Sequence, residues 1–150
     1  MQSIENQSFE GKTVIVRVDF NVPLNEQFEV TDATRIHAAK PTIDMLTATG
    51  AKCVLLSHLG RPKGIDPDLS LQHIIPSVGD ILGKEVQFSS ETIGNQAIEA
   101  ISSVPYGGVI LMENLRFHAE ETKGDPAFAQ ALADLGDAYV NDAFGTAHRA

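Results

Sequence analysis

The chain has 150 residues, 43% of them hydrophobic, with a formal net charge of −9. That size suits one core and one domain, and the acidic balance excludes a nucleic-acid backbone as partner, which needs a basic face. No stretch approaches the roughly 18 apolar residues of a membrane span.

The start, MQSIENQSFEGK, has neither a basic n-region nor an apolar h-region, so secretion is not expected. Cys53 is the only cysteine, which allows no intrachain disulfide and fits a reducing, cytoplasmic setting with a buried structural thiol. TVIVRVDF (13–20) reads as a buried strand and NVPLNEQFEV (21–30) as a loop. TDATRIHAAKPTIDMLTATG (31–50) is predicted helical, with apolar residues at Ile36, Ala39, Ile43, Leu46 and Ala48, a kink or restart at Pro41 and a stop at Gly50. AKCVLLS (51–57) is the second strand, followed by the polar loop HLGRPKGIDPD (58–68). SLQHIIPSVGDILG (70–83) reads as a helix, EVQFS (85–89) as a strand, ETIGNQAIEAISSV (91–104) as a helix and GGVILMEN (107–114) as a strand. DPAFAQALADLG (125–136) is a helix capped by Asp125 with Pro126 at its first position, and DAYVND (137–142) is the last strand.

This alternation predicts an α/β fold: a three-layer, open parallel sheet with helices on both faces. No internal repeat, low-complexity segment or linker interrupts it, so residues 1–150 are expected to form a single domain.

In open parallel sheets, ligands bind beyond the carboxyl ends of the strands. There the strands deliver Asp19 and Asn21 (DFN), His58 and Arg61 (SHLGRP), Arg116 (ENLRF), and His148 and Arg149 (NDAFGTAHR), with Arg35 close by at the start of the first helix. The chain has only five arginines, and most of them fall in these turns. Guanidinium forks around one cavity suit a small, multiply charged anion bearing phosphate or carboxylate. A lone strand-end arginine is ordinarily a surface ion-pair partner, but four strand ends doing the same thing favour a site. Arg17 lies inside a strand and reads instead as a buried structural pair with a carboxylate. His37, His73 and His118 read as surface or packing residues, and no His spacing indicates a metal. GKT (11–13) lacks the earlier glycine of a P-loop and precedes a strand, and no GxGxxG follows one.

Together VIVRVDFNVPL, TDATRI, LLSHLGRPKG, ILMENLRFHAEE and YVNDAFGTAHRA resemble the phosphoglycerate kinase family, in its order and approximate spacing over almost the whole chain. The resemblance implies a Rossmann-like N-terminal lobe that binds phosphoglycerate, truncated at its C-terminal end, with the nucleotide-binding lobe absent. It implies reversible transfer of a phosphoryl group between ATP and 3-phosphoglycerate, giving 1,3-bisphosphoglycerate and ADP, in glycolysis and gluconeogenesis. Mg-ATP or Mg-ADP would bind to the C-terminal lobe, with no cofactor or metal expected on these residues.

Mapped by motif, Asp19 and Asn21 would contact the glycerate hydroxyl and carboxylate end. Arg61, Arg116 and Arg149 would hold the non-transferred phosphate, with His58 assisting. Arg35 would face the phosphate-accepting carboxyl group and serve catalysis. The family often has two acids in the motif written here TDATRI, and Ala33 occupies the second position. Expected partners are 3-phosphoglycerate or 1,3-bisphosphoglycerate and the C-terminal lobe, in a monomeric full-length enzyme. No membrane or nucleic-acid partner is expected, and the chain alone is expected to be inactive. The alternatives are a stand-alone small-anion-binding module and a complete small phosphotransferase. Thr146 is expected to begin a helix cut short at Ala150, which would leave Arg149 poorly placed.

Overall fold

The computed structural model describes residues 9–118 and 123–142. Five strands form one parallel sheet: β1 (Thr13–Val18), β2 (Lys52–Leu56), β3 (Val86–Ser89), β4 (Val109–Met112) and β5 (Ala138–Asp142). Their order across the sheet is β3-β4-β2-β1-β5. β2 lies at the centre and every one of its residues is buried, as a strand covered on both faces requires.

The helices are α1 (Thr34–Ala48), α2 (Ile75–Leu82), α3 (Asn95–Ser102) and α4 (Pro126–Ala133). The connections through α1 and α2 run toward the β3 edge, and those through α3 and α4 run back. Crossovers share one hand, so this reversal puts the first two helices on one face and the last two on the other. The cores divide accordingly. Val14, Val16, Cys53, Leu55, Val109 and Leu111 pack with α1 and α2. Their neighbours Ile15, Val54, Leu56, Ile110 and Met112 pack with α3 and α4. The period of two along each strand thus fills both interfaces.

Three local expectations change. Helix α1 runs unbroken through Pro41. That residue is exposed, so the His37 carbonyl it leaves without a helical donor is near water. The predicted helix 70–83 divides into a 3-10 turn, Leu71–Ile74, and α2. Pro76 has no N–H to close a helical ring onto the residues before it, so the α-helix begins afresh around it, and Gly83 ends it at φ 68°. Within the loop 58–68, Pro67–Leu69 forms a further 3-10 turn capped by Asp66. Asp125 caps α4 as expected, its Oδ1 accepting from Ala127 N at 3.2 Å.

Cys53 is fully buried in β2, and desolvation pushes its thiol up to about 12. Ellman's reagent should therefore leave the folded protein unmodified and titrate one thiol after denaturation in guanidinium. Rapid labelling of the native chain would contradict the packing described.

Candidate functional site

The carboxyl ends of β1, β2 and β4 are joined by side chains that bond to backbone. Phe20 N donates to Ser57 Oγ at 2.9 Å, and Leu115 N donates to the Ser57 carbonyl at 3.0 Å. Asn114, fully buried past β4, donates through Nδ2 to the carbonyls of Leu59 and Leu69 at 2.8 and 2.9 Å. Its Oδ1 accepts from Arg116 N at 3.0 Å, which opens the 3-10 turn Leu115–Phe117 carrying Arg116. Glu113 Oε1 accepts from Asn114 N (2.8 Å) and Leu71 N (2.9 Å), and its Oε2 accepts from the Ser70 hydroxyl at 2.6 Å. These bonds fix the loops that follow β1, β2 and β4.

Asp19, Asn21 and Arg35 form one connected cluster. Arg35 Nη1 donates to Asp19 Oδ1 at 3.1 Å and to the Asn21 carbonyl at 3.0 Å. Asp19 Oδ1 also accepts from Asn21 N at 3.1 Å, and Asn21 Oδ1 accepts from Gly60 N at 2.9 Å. The Arg35 side chain is 51% exposed and that of Asp19 27%, so water screens the pair and it is worth at most about 1 kcal/mol. The pair positions Arg35 without locking it. The start of α1 is charged despite Ala33, because Asp32 Oδ1 accepts from Thr34 N at 3.0 Å and from its hydroxyl at 2.6 Å. Those Thr34 bonds, and then Arg35, hold the Asp32 carboxyl below its usual range.

His58 reports the field of the site. Burial lowers its pKa first, then Arg116, with Arg17 and Arg35 adding to the effect and Asp19 alone opposing it. Three guanidiniums against one carboxylate therefore act on a neutral imidazole, a set suited to phosphate or carboxylate oxygens.

The structure thus joins Asp19, Asn21 and Arg35 by hydrogen bonds and sets His58 where Asp19, Arg35 and Arg116 act on its charge. Arg61 is exposed, directly after Gly60 (φ 64°) and so next to the Asn21 tether. His148, Arg149 and the helix start at Thr146 lie outside the described residues. Arg17 is half-buried. It lines a cleft of about 450 Å³ on the α4 side of the sheet together with Asp125, Phe128 and Asp137. Among the described residues no group of three or more His, Cys, Asp or Glu is placed to hold a metal, and no helix is long and apolar enough to cross a membrane.

Sequence reading passed over Glu113, Asn114 and Ser57, whose work is to bond backbone. It also passed over Asp142, buried at the carboxyl end of β5 opposite Val18. An acid and an amide directly before the arginine-bearing turn were the available signal for the first two.

A five-stranded parallel sheet covered by helices on both faces, with Arg35, His58 and Arg116 past its strand ends, defines an α/β lobe with a candidate site for an anion. The family model for phosphoglycerate kinase matches residues 4–150, and the chain belongs to that family. It is 51% identical over 148 residues to the cytosolic phosphoglycerate kinase of Nicotiana tabacum and 51% identical over 150 residues to the phosphoglycerate kinase of Gloeobacter violaceus. It covers 37% of the length of each of these relatives, which themselves cover 99% and 100% of this chain. The crystal structure of phosphoglycerate kinase from Pyrococcus horikoshii OT3 superposes over 99% of this chain and 38% of its own, with a TM-score of 0.84 at 35% identity. The enzyme from Coxiella burnetii gives the same TM-score, 0.84, at 34% identity, covering 99% of this chain and 37% of its own. Curated relatives include cytosolic, chloroplastic and bacterial proteins.

Two measurements check this geometry. Asn114→Ala strands the Leu59 and Leu69 carbonyls and should cost about 2 kcal/mol in urea unfolding. For His58, the folded pKa lies below the unfolded value, near 6.5. The unfolded chain therefore binds more protons between the two, and this stability, present above the unfolded pKa, is lost as pH falls through that window. His58→Gln should flatten this part of the pH–stability profile, and an unchanged slope would contradict the assignment.

Proposed function

We propose that this chain forms the phosphoglycerate-binding lobe of a phosphoglycerate kinase, a single domain over residues 1–150. The observation that carries this reading is the Asp19–Asn21–Arg35 cluster at the carboxyl end of β1, tied through Asn21 to the Gly60 amide beside Arg61. The reaction moves the terminal phosphoryl group of ATP onto the carboxylate of 3-phosphoglycerate and leaves ADP, so its acceptor carries a phosphate at one end and a carboxylate at the other. Two anionic ends call for two cationic groups at separate places. Arg35, beside Asp19 and the Asn21 carbonyl, stands on the β1 side. Arg116 and Arg61 stand on the β4 and β2 sides.

In this reading Arg35 faces the accepting carboxyl group and stabilises charge as the phosphoryl group arrives. Asp19 and Asn21 take the glycerate hydroxyl and carboxylate end. Arg61, Arg116 and Arg149 hold the non-transferred phosphate. His58, kept neutral by burial and the arginines, offers one donor and one acceptor. Positioning and electrostatics carry most of a phosphoryl transfer, which fits a site made of forks and fixed backbone. Mg-ATP or Mg-ADP binds to the C-terminal lobe of the full-length enzyme, a cytoplasmic monomer, and the 150-residue chain alone makes no ATP from 1,3-bisphosphoglycerate and ADP.

Calorimetric titration of the chain with 3-phosphoglycerate tests the reading. Binding should be saturable, weakened about tenfold or more by Arg61→Ala and less by Arg17→Lys, which keeps a charge outside the proposed contacts. No heat at millimolar ligand, or equal losses in the two variants, would overturn it.

A further inference from the structure

Phe28 is the one non-glycine residue with a left-handed backbone among those described, at φ 61°. An L-residue with a bulky side chain is unfavourable there, and glycine or asparagine is the usual occupant. The turn around it is firmly made. Leu24 and Val30 form an antiparallel bridge. Phe28 N donates to the Asn25 carbonyl at 3.0 Å, and Asn25 Oδ1 accepts from Gln27 N at 2.9 Å and Glu29 N at 3.0 Å. These bonds explain the turn; they do not explain a phenyl ring at its strained position.

The ring stacks on His73, with centroids 4.4 Å apart and planes at 12°. His73 in turn sits in the 3-10 turn Leu71–Ile74, whose first N–H is held by Glu113. Its Nε2 lies 2.8 Å from the Pro67 carbonyl, which only accepts, so Nε2 carries the proton. The 21–30 hairpin is therefore joined to the neighbouring loop at two places. At the base Asn21 holds Gly60 N; at the tip Phe28 holds His73. Between them lies a cavity of about 290 Å³ lined by Val22, Leu24, Leu59 and Leu69 among others. Arg61 falls in the span bounded by Gly60 and Pro67, and both ends of that span depend on this hairpin.

We propose that the Phe28–His73 stack is a clasp that holds the hairpin against the 58–74 segment and so positions Arg61 for phosphoglycerate, an inference that rests on the function proposed above. Phe28 is a positioning residue and touches no substrate. Its strain is offset by the stack, and the gain is a guanidinium whose backbone is ordered before the ligand arrives.

The test uses the 150-residue chain and two readouts. The first is hydrogen exchange at the Gly60 amide, which needs no ligand; the second is affinity for 3-phosphoglycerate. Phe28→Gly relieves the backbone strain and removes the ring, so the chain stays folded. It should speed Gly60 exchange and weaken binding by about fivefold each, leaving exchange at Val54 in the central strand unchanged. Phe28→Tyr, which keeps a stacking ring, should restore both. Unchanged Gly60 exchange in Phe28→Gly overturns the clasp whatever the chain binds. Faster exchange with unchanged affinity overturns the positioning role. If the unsubstituted chain does not bind 3-phosphoglycerate, the proposed function and the positioning role fail together, while Gly60 exchange still decides whether the clasp exists.

Discussion

The buried side chain of Asn114 is the point on which the carboxyl edge of the sheet depends. One amide donates to Leu59 and Leu69, which belong to the segment after β2, and accepts from Arg116, which belongs to the segment after β4. Loops at the end of a parallel sheet have no ladder to enter, yet their carbonyls here are shielded from water. Each would cost about 1–3 kcal/mol if left without a donor. A single planar amide with two donors and one acceptor meets three of these demands at once. Glu113 extends the arrangement to Leu71 and Ser70, so the loops after β2 and β4 behave as one body.

That rigidity matters because Arg116, which is mounted on it, shares its surroundings with the guanidiniums of Arg17 on β1 and Arg35 on α1. Arg116, Arg17 and Arg35 all act on His58, with Asp19 the sole opposing charge among them. Crowded guanidiniums in flexible loops would relax apart into water. Held on backbone that is already bonded, they keep a positive field over the strand ends. The Arg35–Asp19 pair is the exception in kind. It is half-exposed and weak, so Arg35 can exchange one oxygen ligand for another at little cost. Strong bonds hold the backbone, while weak ones hold the groups that meet a ligand.

The parallel sheet and its two helix layers were legible because β1, β2 and β4 are near-continuous apolar runs, TVIVRV, KCVLL and VILM, which only a doubly covered strand requires. That Asp19, Asn21, His58 and Arg116 lie just past the ends of β1, β2 and β4 followed from the strand boundaries alone. What stayed hidden depends on contacts between distant segments. Pro76 in SLQHIIPSVG allows a break, but Pro41 sits inside α1 without one, and only the bonds of Glu113 and Ser70 to the first turn separate the two outcomes. Asn114 reads as an unremarkable loop amide until it is found fully buried. Phe28 looks like a stray aromatic in a polar loop, because neither its φ nor its partner 45 positions away leaves a trace in local pattern.

The division between scaffold and field also explains why the chemistry-bearing residues are so sparsely bonded to one another. A guanidinium satisfied by protein oxygens has fewer forks left for a phosphate, and a cluster neutralised by carboxylates has little reason to attract one. Here the carboxylates with several backbone or hydroxyl bonds, Glu113 and Asp32, serve loop and helix ends. Asp19 is the carboxylate that bonds Arg35. Replacing Asp19 would therefore strengthen the positive field while loosening Arg35 and the turn at Asn21, two effects of opposite sign on anion binding. Replacing Asn114 leaves every charge in place and disturbs only their mounting. The site is thus built from two nearly separate sets of residues, and the sets meet at Asn21, whose backbone serves Arg35 and whose side chain serves Gly60.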